Sequence, residues 1–165
     1  MKKLFTLLLI SSSLLFTGCG DKPKKGDPSA SAVSSEGSAA SALEINADSD
    51  SGKAGALQTV YFDFNSSVLR SDTRSALESN ASFLKENPSV KVIVEGHCDE
   101  RGSVQYNIAL GEKRAKSIKR FLTSMGVESS RIETATYGKE RPVAFGHDES
   151  AWSQNRRGNF VISAK

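Results

Sequence analysis

The hydrophobic positions of this chain change rhythm several times, and each rhythm predicts an element. "QTVYFDF" (58–64) concentrates Val, Tyr and Phe and reads as a strand. Ala76, Leu77, Ala81 and Leu84 recur at near-helical spacing, with Ser71 and Asp72 as the N-cap region and Pro88 as the stop. "VKVIVEG" (90–96) is a β-branched run fit for a central strand. A long helix follows from about 104 to 124; Ile108, Ala115, Ile118 and Leu122 form its core stripe, joined by Phe121, and Gly126 ends it. "RIETATYG" (131–138) predicts a strand, "ESAWSQNRR" a short helix, and "GNFVISA" (158–164) a last strand. The order β-α-β-α-β-α-β gives an α+β class, with helices against one mixed sheet.

The pattern before residue 58 is different. Lys2 and Lys3 precede an apolar stretch, 4–16, that is too short and serine-broken to span a bilayer, so it reads as a secretory signal. It ends Thr17-Gly18-Cys19, which resembles the lipobox of bacterial lipoproteins, although Phe16 stands where that box usually has Leu. The resemblance implies removal of residues 1–18 and acylation of Cys19. Gly20, rather than Asp, after that cysteine implies the outer membrane. A single acyl chain binds membranes only marginally; a lipoprotein cysteine carries several. Ser, Ala, Gly and Asp dominate 21–57 with no persistent apolar period, so 19–57 is expected to be a lipidated cysteine and disordered tether, and 58–165 the folded domain.

Composition narrows the classes. A chain of 165 residues, 38% hydrophobic and 25% charged, suits one domain plus extra segments. Its net charge of +3 gives no reason to expect a nucleic-acid partner. With Cys19 acylated, Cys98 is left without an intrachain partner and no disulfide is expected.

Candidate chemistry concentrates in "GHCDERGSVQYNIALGEKRAKSI" (96–118). Asp99 lies in the connection leaving the central strand, where open sheets favour ligands. Asn107, Leu110 and Arg114 share one helical stripe, rotated from the core stripe by about 100°. That stripe is expected to flank the core, so Asp99 and Arg114 would edge one shallow cleft.

Together, "VYFDF", "VEGHCDERGSVQYNIALGEKRA", "YGKERPVAFGHDES" and "NRRGNFV" resemble the OmpA-like peptidoglycan-binding domain, most closely the peptidoglycan-associated lipoprotein family. The resemblance implies a peptidoglycan stem peptide as ligand, with meso-diaminopimelate as its recognised residue. Asp99 would accept from the ammonium of the free end and Arg114 would fork onto its carboxylate. Phe64, Asn65, Arg101, Gly102, Asn107 and Leu110 complete the implied pocket, with Asn65 where close relatives often carry an acid. The resemblance further implies a non-catalytic protein facing the periplasm that ties the outer membrane to the wall. Partners from the Tol system, in envelope integrity and cell division, would accompany that role, with no cofactor.

Other readings of the same residues remain open. Asp99 and Arg114 can form a structural pair between loop and helix. Glu95 reads as an internal ion-pair partner, "NRR" (155–157) as a clamp on carbonyls or acids, and Trp152 and Tyr137 as core or lid. His97 and His147 show no metal spacing. Asp99 and Glu100 are adjacent carboxylates, but consecutive loop residues point apart, which weakens a wall-hydrolase reading. The alternative function is a periplasmic protein-interaction module with weak or no wall binding.

Overall fold

A computed structural model describes residues 43–165. Within them the elements are β1 (Val60–Tyr61), α1 (Ser71–Glu86), β2 (Lys91–His97), α2 (Val104–Ser124), β3 (Ile132–Gly138), α3 (Glu149–Asn155) and β4 (Arg157–Ala164), with a 3₁₀ turn at Ser129–Arg131. The strands form one mixed sheet in the order β1-β4-β2-β3. β2 and β3 run parallel, as a connection through α2 permits, while β4 is antiparallel to both β1 and β2.

Strand alternation decides the layers. Val92 and Val94 of β2 and Phe160 and Ile162 of β4 are buried with Leu77, Ala81 and Leu84 of α1 and Ala115, Ile118 and Leu122 of α2. α1 and α2 thus cover one face of the sheet, and the period-3.6 and period-2 stripes read from sequence meet in one core. Ile108, expected in that stripe, is only half-buried at its start.

Two stretches depart from expectation. The strand over 58–64 shrinks to Val60–Tyr61. Ahead of it, buried Asn80 brackets Gln58, accepting from its N–H at 2.8 Å and donating to its carbonyl at 2.9 Å. Beyond it, Phe62 N–H donates to Arg156 O at 2.9 Å. Side chains and loop backbone thus satisfy groups that a longer ladder would have used.

The larger correction concerns 43–57, assigned from composition to the tether. Leu43, Ala47, Ala54 and Leu57 are buried in the common core. Asn46 N–H donates to Ile162 O, Ile162 N–H to Ala47 O, and Ser49 N–H to Phe160 O, at 2.8–2.9 Å. The segment therefore pairs with the β4 edge that β1 is too short to cover, removing an exposed strand edge. Among the described residues the folded domain already includes Leu43 rather than starting at 58. The predicted signal, Cys19 and the first part of the tether lie outside the described residues.

Gly96 and Gly111 set how closely α2 approaches the end of β2. A Cβ on Gly96 would lie 1.9 Å from the Gly111 carbonyl oxygen, and one on Gly111 would lie 2.4 Å from Thr136 Oγ1. Only glycines allow this contact, and it brings the start of α2 over the loop that leaves β2.

Candidate ligand-binding crevice

The loop 98–103 joins β2 to α2 beyond the carboxyl end of β2. Cys98 N–H donates to Gly138 O at 2.8 Å, fixing the start of the loop to β3. Ser103 caps α2, its hydroxyl accepting from Tyr106 N–H at 3.2 Å. Between these anchors sits Asp99, only 4% exposed. Its Oδ1 accepts from the Arg101 backbone N–H (3.1 Å) and Nε (3.2 Å). Its Oδ2 accepts from Arg101 Nη2 (2.6 Å) and Arg156 Nη1 (3.4 Å). Burial pushes this carboxyl up, but the hydrogen bonds from Arg101 and Arg156 outweigh it and leave the pKa below the ordinary aspartate value.

Arg101 sits between two aromatic rings, its guanidinium carbon 3.9 Å from the centroids of both Phe64 and Trp152. Trp152, on α3, thereby acts as a lid on this side of the crevice. Arg156 is buried, donating from Nε to Phe62 O at 3.0 Å and from Nη2 to Glu149. The expected clamp at 155–157 takes this form, and Arg157 adds a bond to Asp50 Oδ2 at 2.7 Å.

Arg114 requires a correction. Its helical stripe predicts a place beside the core; it is fully buried. Its Nε donates to Ser66 O (2.8 Å), Nη1 to His97 O (2.7 Å) and to Cys98 Sγ (3.4 Å), and Nη2 to Asp63 O (3.0 Å). Burial lowers its pKa from the usual guanidinium value, yet arginine remains charged in proteins. Four of its five N–H donors are thus committed to the loop after β1 and the end of β2. Arg114 pins the walls of the crevice together and contributes its charge from beneath. Among the described residues it makes no ion pair with Asp99, so the pairing of loop and helix runs through backbone carbonyls.

The other predicted residues converge. Phe64, Asn65, Arg101, Asn107 and Leu110 line one small crevice with Asp99 and Arg114. Asn107 is buried and donates from Nδ2 to Arg101 O at 2.8 Å, holding the loop. Gly102 does not line the crevice; its φ of +88° makes the turn, and its carbonyl accepts from Lys139 Nζ at 2.8 Å. Asn65 adopts φ +52°, a conformation asparagine tolerates better than most residues. Its side-chain oxygen is held by the Tyr106 hydroxyl. Tyr106 escaped the sequence reading, although its spacing with Leu110 and Arg114 (i, i+4, i+8) carried the signal. Cys98 also lines the crevice, its thiol pKa pushed up by burial.

Neighbouring groups have separate partners. Glu100 turns away from Asp99, accepting from Trp152 Nε1 at 2.9 Å and pairing with His147 Nδ1 at 2.7 Å. On the opposite sheet face, Glu95 accepts from Asn159 Nδ2 at 3.0 Å. His97 Nε2 lies 3.5 Å from Glu95 Oε2, too long for an ordinary hydrogen bond, and neither ring nitrogen has a partner. No group of His, Cys, Asp and Glu among the described residues is arranged to hold a metal ion.

A profile of the OmpA family matches residues 61–156. The peptidoglycan-associated lipoprotein of Pasteurella multocida is 38% identical over 158 residues, covering 95% of this chain and 97% of that protein. That of Pseudomonas aeruginosa is 49% identical over 109 residues, covering 66% of this chain and 64% of that one, so the match spans under two thirds of that relative. The crystal structure of the peptidoglycan-associated lipoprotein from Burkholderia pseudomallei superposes with a TM-score of 0.61 at 43% identity, covering 63% of this chain and 88% of that chain. The C-terminal domain of Helicobacter pylori MotB gives the same TM-score at 20% identity, a likeness of fold alone. The chain belongs to the OmpA family and, within it, to the peptidoglycan-associated lipoproteins.

Proposed function

We propose that this protein binds the stem peptide of peptidoglycan non-covalently through the Asp99 crevice and so holds the outer membrane to the wall. The observation that carries the reading is a buried, ionised carboxylate at the mouth of a crevice edged by guanidinium groups. That arrangement suits a ligand end bearing an ammonium and a carboxylate together, as the free end of diaminopimelate does. Asp99 takes the ammonium; Arg101 above and Arg114 beneath supply positive charge toward the carboxylate. The names of the relatives support wall association and a lipid anchor. Cys19 is then the acylated residue, and the 23 residues 20–42 can span at most about 83 Å between membrane and domain.

Docking of a Tol-system protein is a second role, favoured by Phe145, 88% exposed beside exposed Val143 on the loop before α3.

Calorimetric titration of the full chain with a diaminopimelate stem peptide, beside the same peptide carrying lysine at that position, tests the wall-binding reading. Binding of the first and rejection of the second is expected. Equal binding, or none, would remove the crevice as the wall site and leave partner docking as the main role.

A further inference from the structure

We propose that Arg101 is the resident cation of the crevice, and that its exchange with the ligand restricts the site, taken as the stem-peptide site, to zwitterionic ends. An ionised carboxylate offers about four acceptor positions. On Asp99 four donors fill them, three from Arg101 and one from Arg156. The free volume within the crevice is about 10 Å³, close to the minimum for one water molecule. An ammonium therefore has no vacant seat at Asp99, and one guanidinium must give way.

The two arginines differ in how firmly they are held. Arg156 is 6% exposed, and it also anchors Phe62 O and Glu149. Arg101 is 30% exposed, and its side chain hydrogen-bonds Asp99 alone. The Phe64 and Trp152 rings, each 3.9 Å from its guanidinium carbon, attract its charge without fixing the direction of its hydrogen bonds, so it can leave Asp99 and stay in the slot. Arg101 is the group that moves.

Exchange leaves Arg101 in need of an anion. Glu149 Oε2 lies 3.9 Å from Arg101 Nη2, but that residue already pairs with Arg156 and is well exposed. A carboxylate on the same carbon as the incoming ammonium meets the need directly. A diaminopimelate end thus exchanges one ion pair for two, whereas a lysine end displaces Arg101 and offers nothing in return. Arg114, with its donors on carbonyls, cannot supply this discrimination.

The chain contains one tryptophan, Trp152, so its emission reports on the slot. The full chain is titrated with the diaminopimelate and the lysine stem peptides, following heat and tryptophan emission together. The unchanged protein should shift its emission on binding and favour the diaminopimelate peptide at least tenfold. In Arg101→Gln the lysine peptide should bind more tightly and the preference fall below about threefold, while Arg101→Lys, which restores a cation, should recover part of it. Undiminished preference in Arg101→Gln, or heat without any change in emission, would overturn the exchange while leaving the stem-peptide site standing. No heat from either peptide in the unchanged protein would overturn both.

Discussion

Arg114 and Asp99 carry opposite charges at the same crevice, and their substitution should have different consequences. Replacing Arg114 with Ala leaves the carbonyls of Asp63, Ser66 and His97 without their present donor. An unpaired buried acceptor costs about 1–3 kcal/mol, and with one of these carbonyls buried and two part-buried a loss of at least about 3 kcal/mol of folding stability is expected, visible in urea unfolding. Arg114→Lys should not restore it, because a single ammonium cannot reach three diverging carbonyls. Unfolding of Arg114→Ala at the same urea concentration as the unchanged protein would contradict this assignment. Asp99→Asn preserves size and removes the charge; sacculus binding should be lost with a much smaller change in unfolding midpoint. Retained pull-down of sacculi by that variant would remove Asp99 from the site. The difference comes from partners: Arg114 donates to the fold, whereas Asp99 accepts from groups at the crevice.

At the scale of elements, the segment 43–57 behaves as part of the sheet and core. Leu43 and Leu57 are both buried. Burial of a leucine contributes about 1.5–3 kcal/mol, so a protein beginning at 58 should be less stable than one beginning at 43 by at most about 3–6 kcal/mol. The shorter protein also exposes the β4 edge, and association at high concentration is expected from it. Comparison of the two truncations by thermal melting and light scattering checks this, and indistinguishable melts would assign the segment to the tether after all. Composition hid this segment. Its buried apolar residues, Leu43, Ala47, Ala54 and Leu57, are sparse among Ser, Asp, Lys and Gly, and what buries them is contact with distant β4 and α1 rather than a dense local pattern. α2 lies at the other extreme: its long stripe and Gly126 stop made its span readable, and the structure adds Ser103 as the cap of its first turn.

For the whole molecule, acid sensitivity should arise from the sheet face opposite the helices. His97 is 1% exposed, and burial depresses its pKa; Glu95 opposes that shift and the charge of Arg157 adds to it. Its folded pKa is therefore below the unfolded value of about 6.5, and below that pH the unfolded chain binds more protons. The stability this contributes is complete above about pH 6.5 and is lost as pH falls through the folded value. Asp99 acts in the same direction at lower pH: its folded pKa is depressed, so its contribution persists until pH drops below the ordinary carboxylate range near 4. Urea unfolding at intervals between pH 8 and 4 should show stability falling first below about 6.5, and His97→Phe should flatten that first decline. An equally steep decline in the variant would assign it to other groups.

The sequence alone determined the class, the order of elements and the neighbourhood of the crevice. Those properties are encoded by local period, by caps and stops, and by motifs read along one strand–loop–helix connection. Asp99, Asn107 and Leu110 were legible because a single connection holds them. Tertiary structure alone decided what each charge does. Arg114 became a buried anchor because carbonyls from residues 63, 66 and 97 converge on it, and Asp99 was filled because Trp152 and Arg156, from the far end of the chain, enclose Arg101 against it. Hydrogen bonds and burial depend on distance in space, and no period or motif in a linear sequence records which distant carbonyls a guanidinium will meet.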